Sequence, residues 1–124
     1  YGLNIGIAFQ IIDDILDVTG NSSSLGKAHG VDFMDSKPNL VLLNAMADEV
    51  HGKAIRDLFM RKEKTREHLE AVLELIAKTD AVEKAKAMAL SFTANAKECI
   101  ASLSDSEYKT SMAMLADTLV VRST

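Results

Sequence analysis

Cysteine occurs once, at Cys99, and proline once, at Pro38. A single thiol excludes an internal disulfide framework and a zinc site built on cysteines, and it fits a reducing compartment, here read as the cytoplasm. Basic runs are equally scarce, none being longer than a pair such as Arg61-Lys62. With a formal charge of −4, this balance argues against nucleic acid or an anionic membrane surface as a partner. No uninterrupted apolar run is long enough to cross a bilayer, and no secretory pattern is present. Neither β-branched alternation nor hairpin turn pairs can be found, which removes the usual signals for strands. What remains is a chain of 124 residues, 48% hydrophobic and dominated by helix formers after about Pro38. The expectation is an all-α helical bundle with enough apolar content for one modest domain.

The opening residues, Tyr1 to Phe9, enter an apolar helical pattern without a cap or polar leader, which reads as a segment beginning inside an element. The spacing predicts a first helix to about Val18, then a loop rich in Gly and Ser from Thr19 to Lys37. Loops of that length are usually functional or disordered. Pro38 suits the first turn of the next helix, whose apolar residues Leu40, Val41, Leu43, Met46, Ala47 and Val50 lead to His51-Gly52. Lys53 to about Lys62 either continues it or forms a short helix of its own. Leu69, Val72, Leu73 and Ile76 make an amphipathic stripe on a helix ending near Thr79. From about Asp80, a further stripe runs through Val82, Ala85, Ala89, Phe92, Ala96, Cys99 and Leu103, so Cys99 is expected in the core. Ser104-Asp105-Ser106-Glu107 has capping-box spacing and is expected to start a last helix that buries Tyr108, Met112, Leu115 and Leu119.

Chemistry is concentrated in the first helix. Gln10, Asp13, Asp14 and Asp17 occupy i, i+3, i+4 and i+7 and therefore share one face. Ile5, Ile7, Ala8, Ile11, Ile12, Ile15, Leu16 and Val18 cover the rest of the circumference, so the helix is expected to be surrounded by protein. Three half-buried carboxylates within two turns repel one another and are costly to desolvate unless a cation compensates them. Oxygen ligands without His or Cys suit magnesium, which takes a few carboxylates, several waters and often substrate phosphates. Gly2 and Gly6 on the same side leave room for an apolar chain bordered by Phe9. A bland reading stands beside this one: a solvated acidic face, with glycines that permit close helix packing.

Downstream come Leu25-Gly26-Lys27, His29-Gly30-Val31-Asp32 and Asp35-Ser36-Lys37-Pro38. A loop that brings Lys27 and Lys37 towards carboxylates and a cation would suit a diphosphate, which lysine neutralises as a mobile point charge. An ordinary polar surface loop is the other reading. His29, His51 and His68 have no ligand spacing, and no Ser-His-Asp set, P-loop or dinucleotide fingerprint is present.

The ordered combination Phe9-Gln10, Asp13-Asp14, Asp17, Leu25-Gly26-Lys27, Gly30-Val31-Asp32 and Lys37 resembles the second aspartate-rich region of trans-polyprenyl diphosphate synthases. That resemblance covers about the first third of the chain. It implies that residues 1–124 are the C-terminal portion of one isoprenoid synthase domain whose N-terminal half is absent. The implied reaction elongates an allylic diphosphate with isopentenyl diphosphate. Asp13, Asp14 and Asp17 would hold magnesium, Lys27 and Lys37 would contact diphosphate, and Phe9 and Gln10 would line the prenyl groups. The family's first aspartate-rich motif and paired arginines lie upstream, so this segment alone is expected to be inactive and, through its uncovered faces, to form homo-oligomers. Ala28 and Asn39 stand where Pro and Thr are frequent in the family. Two other readings share part of the pattern: a noncatalytic helical subunit or interaction module, and a class I terpene cyclase.

Overall fold

The computed structural model describes residues 1–20 and 29–123. Among these residues every regular element is a helix: α1 (Gly2–Thr19), α2 (Val31–Met34), α3 (Leu40–Met46), α4 (Gly52–Phe59), α5 (Arg66–Ala77), α6 (Ala81–Ile100) and α7 (Glu107–Val121). The chain forms two compact units, one of residues 1–13 and 86–124, the other of residues 14–85. α1 runs from the first unit into the second and α6 from the second into the first, so two long helices belong to both.

In the unit of residues 14–85 the core includes Ile15, Phe33, Val41, Leu42, Ala45, Ile55, Val72 and Ile76, each buried. The Ile, Leu, Val and Phe side chains contribute about 1.5–3 kcal/mol apiece when removed from water. α3 packs on α4 and α4 on α5. The sequence left open whether Lys53–Lys62 continues α3; a turn after Ala47 separates them. Asp48 closes that turn by accepting the backbone N–H groups of Val50 at 3.1 Å and His51 at 2.8 Å. Pro38 does not open α3 from within. Asn39 is the N-cap, its side-chain oxygen accepting the Leu42 N–H at 2.8 Å, and Pro38 stands just outside.

α5 starts with a reciprocal cap. Thr65 Oγ1 accepts the His68 N–H at 3.3 Å, while His68 Nδ1 accepts the Thr65 N–H at 3.0 Å. His68, without a role in the sequence, does the work that Glu or Gln usually does at this position.

In the unit of residues 1–13 and 86–124, Ala8, Ile11, Ile12, Ala89, Ala96, Ile100, Ala116 and Leu119 are buried. Tyr1 Oη donates to the Met112 carbonyl at 2.8 Å and ties α1 to α7. Three expectations are corrected here. Cys99 is exposed, with Asn4 Nδ2 3.7 Å from its sulfur, because the buried stripe of α6 passes through Thr93, Ala96 and Ile100 instead. Tyr108 and Leu115 are 74% and 49% exposed, because α7 turns Ala116 and Leu119 inward. Ser106, not Ser104, caps α7, its hydroxyl accepting the Lys109 N–H at 3.1 Å. The Lys109 ammonium occupies the preceding turn, donating to the carbonyls of Ala101 and Leu103.

Candidate active site

α1 contains no proline, and apolar residues fill the circle around its acids. Its last turn closes when the Thr19 hydroxyl donates to the Ile15 carbonyl at 2.8 Å and the Gly20 N–H to that of Leu16 at 2.7 Å. Ala8, Ile11, Ile12 and Ile15 are buried, yet Leu3 is 77% and Phe9 42% exposed. The expectation of a helix surrounded by protein is therefore corrected, since nothing among the described residues covers that side. A Cβ added at Gly2 or Gly6 would meet open space. Both glycines are exposed, so this open space is the uncovered side of α1.

The three acids differ in what they touch. Asp14 Oδ2 accepts the Leu40 N–H at 2.9 Å, at the start of α3. Asp17 accepts the N–H groups of Val31 and Asp32 at 3.1 and 3.3 Å, while its carbonyl takes the Gly30 N–H at 2.7 Å. It thus caps α2, whose preceding residue, Gly30, is in the left-handed conformation with φ 77°. Asp32 in turn accepts from Asn39 Nδ2 at 3.1 Å, joining the caps of α2 and α3. Asp13, half-buried on α1, makes no hydrogen bond or ion pair among the described residues.

Burial pushes the Asp17 carboxyl above its ordinary 3.8, and the Asp32 charge adds to the rise; the two backbone N–H groups pull against both. Asp32 and Asn39 are the partners that sequence reasoning missed. The pattern of Asn before an apolar run carried a signal for Asn39 as a cap, whereas nothing local linked Asp32 to it.

Of the remaining predicted residues, Lys27 lies outside the described residues, as do Leu25 and Gly26. Lys37 is exposed, and its N–H donates to the Asp32 carbonyl at 2.8 Å. Phe9 and Gln10 are exposed on α1, with the Arg122 guanidinium 5.8 Å from the Phe9 ring centre. Among the described residues no group of three or more His, Cys, Asp or Glu side chains is arranged to hold a metal ion. The donor chemistry nevertheless fits magnesium, which needs only one or two protein carboxylates and completes its shell with water and phosphate oxygens. Asp13 and Asp17, one helical turn apart, offer oxygen donors of that kind.

Known proteins resemble this chain in sequence and in fold. The family model described as polyprenyl synthetase matches residues 1–76, which include α1 and the caps it supplies. Geranylgeranyl diphosphate synthase of Methanosarcina mazei is 34% identical over 122 residues, covering 98% of this chain and 36% of the relative. Octaprenyl diphosphate synthase of Haemophilus influenzae is 35% identical over 120 residues, covering 94% of this chain and 36% of the relative. The crystal structure of polyprenyl synthase from Caulobacter crescentus, complexed with calcium and isoprenyl diphosphate, superposes with a TM-score of 0.88 at 32% identity. That alignment takes in 100% of this chain and 38% of the solved one. The chain thus spans little more than a third of its relatives' length. With its aspartate-bearing first helix inside the matched region and its helices superposing on a solved member, this chain belongs to the polyprenyl synthetase family.

Proposed function

We propose that this chain supplies one half of a prenyltransferase active site that elongates an allylic diphosphate with isopentenyl diphosphate. The observation that carries the reading is the difference among the acids of α1. Asp14 and Asp17 are tied to backbone amides, while Asp13, with no hydrogen bond or ion pair among the described residues, shares the face of α1 on which Gly2 and Gly6 lie. Asp13, with Asp17 one turn away, would hold magnesium, and Asp14 supports the site by fixing α3. Bound there, magnesium would supply positive charge to offset the negative charge developing on the leaving pyrophosphate.

The chain's own residues do the rest. Lys37 and Lys27 contact the diphosphate and neutralise it as the allylic C–O bond breaks. Phe9 and Gln10 flank the prenyl groups and keep water from the carbocation that results. The double bond of isopentenyl diphosphate attacks that carbon, a proton leaves the adjacent carbon, and pyrophosphate departs. No covalent enzyme intermediate is needed. A single-copy cysteine favours a reducing, cytoplasmic setting. No helix among the described residues is long and apolar enough to cross a membrane.

The test uses the complete protein with isopentenyl diphosphate, farnesyl diphosphate and magnesium. Asp13→Ala is expected to lower the rate by orders of magnitude. An unchanged rate rules out the assigned role. A second reading, a noncatalytic helical subunit, draws on the same geometry, because Asp14 and Asp17 already have structural partners. Absence of turnover in the complete wild-type protein, with retained binding to a catalytic synthase, would favour it.

A further inference from the structure

Six residues connect α4 to α5, and they place one ammonium in an unusual setting. Lys64 Nζ lies 5.4 Å from the ring centres of both Phe33 and Phe59. The two rings are tilted by 54° with centres 6.4 Å apart, so they form two walls around the cation. The same nitrogen donates to the Arg61 carbonyl at 2.9 Å and to the Ser36 hydroxyl. An ammonium has three N–H donors and no acceptor; two go to oxygens and the aromatic faces receive the remaining charge.

Three other described lysines have a carboxylate for a partner instead of aromatic faces. Lys84, Lys97 and Lys109 pair with the exposed carboxylates of Asp80, Asp117 and Asp105, and such pairs contribute little. Lys64 pairs with no carboxylate among the described residues.

What the cation grips is a turn under backbone strain. Ser36 has φ 54°, the left-handed region that a residue with a Cβ adopts at a cost. Its N–H donates to the Phe33 carbonyl at 3.1 Å, and the next N–H, from Lys37, donates to Asp32 at 2.8 Å. Phe33 is 2% exposed and needs no further anchoring. The Lys64 contacts thus add most at Ser36, one residue before the lysine read as a diphosphate contact.

We propose that Lys64 is a positioning residue: its ammonium, held between Phe33 and Phe59, fixes the strained Ser36 turn and thereby sets where Lys37 meets the diphosphate. The proposal rests on the prenyl-transfer reading, in which Lys37 binds substrate. Lys64 itself touches no reacting atom.

The experiment compares complete wild-type protein with Lys64→Met, Lys64→Arg and Ser36→Ala. Lys64→Met keeps the chain length but removes the charge, Lys64→Arg keeps a cation that stacks on aromatic faces, and Ser36→Ala removes only the acceptor. Lys64→Met and Ser36→Ala are expected to raise KM for isopentenyl and farnesyl diphosphates about tenfold, with kcat changed less than about twofold. Amide exchange at Lys37 should quicken in both, affinity for inorganic pyrophosphate should fall, and Lys64→Arg should restore all three. A lowered Tm in Lys64→Met, with wild-type KM and wild-type exchange at Lys37, overturns the proposal by making Lys64 a stabilising residue only. No turnover by the wild-type protein instead overturns the prenyl-transfer reading, and exchange at Lys37 still decides whether Lys64 holds the turn.

Discussion

The carboxylate of Asp14 accepts the backbone N–H of Leu40 at 2.9 Å, across 26 residues of chain. The middle acid of the aspartate-rich face is therefore a helix cap for α3 as well as a charge near Asp13. Asp14→Ala leaves that N–H without its acceptor and is expected to cost about 2 kcal/mol, with Asp14→Asn recovering about half through its amide oxygen. Asp13→Ala is expected to stay within about 0.5 kcal/mol of wild type. Urea denaturation of the complete protein separates the two, and equal stability of Asp13→Ala and Asp14→Ala would remove the capping role.

Gly30 has φ 77°, and a Cβ there would run into the Leu69 side chain. Gly30→Ala is expected to destabilise by about 2 kcal/mol, combining left-handed backbone strain with overpacking. Adding Leu69→Ala removes the clash but leaves the strain, so the two losses should be less than additive in a double-mutant cycle. Full additivity would mean that Gly30 matters for its backbone alone.

Asp17 and Asp48 should titrate on opposite sides of the ordinary 3.8. Burial, followed by the Asp32 charge, raises Asp17, so the folded chain holds that proton more tightly than the unfolded chain does. Its contribution to stability is fully present below 3.8 and is lost as pH rises through the folded value. For Asp48 the His51 N–H lowers the value most, so its contribution is present above 3.8 and is lost as pH falls through the folded value. Carboxyl-carbon NMR titration measures both directly, and coincident midpoints would contradict these environments.

Much of this was legible in the sequence because it is local. The face shared by Asp13, Asp14 and Asp17 follows from helical periodicity, and the solvent-facing sides of α5 and α6 follow from charge. The partners of those acids were not legible. Asp14 meets Leu40 and Asp17 meets Val31 only after the intervening chain has folded back, and no spacing rule encodes such a return. Cys99 was misplaced by a smaller margin. A stripe continued by threes and fours can pass through 99 or 100, and Ile100, with more apolar surface to bury, takes the inward position. At α7 two serines lie close together, and the helix begins after the second.

Exposed apolar side chains remain on both units: Leu3 at 77%, Val50 at 80%, Met60 at 75% and Tyr108 at 74%. This chain by itself is expected to self-associate, as surfaces of that kind do when they form contiguous patches. Sedimentation velocity over a range of concentrations tests it, and a monomer at every concentration would show that these residues are scattered too thinly to drive assembly.

Ala81, Ala85, Ala89 and Ala96 are all fully buried along α6. A core lined by methyl groups has almost no volume to surrender, so shortening side chains there is hardly possible. Its vulnerability runs the other way, because one extra branch must push a neighbouring helix axis outward. Mutational drift in α6 should therefore be filtered by size rather than polarity, with serine tolerated better than valine at Ala89.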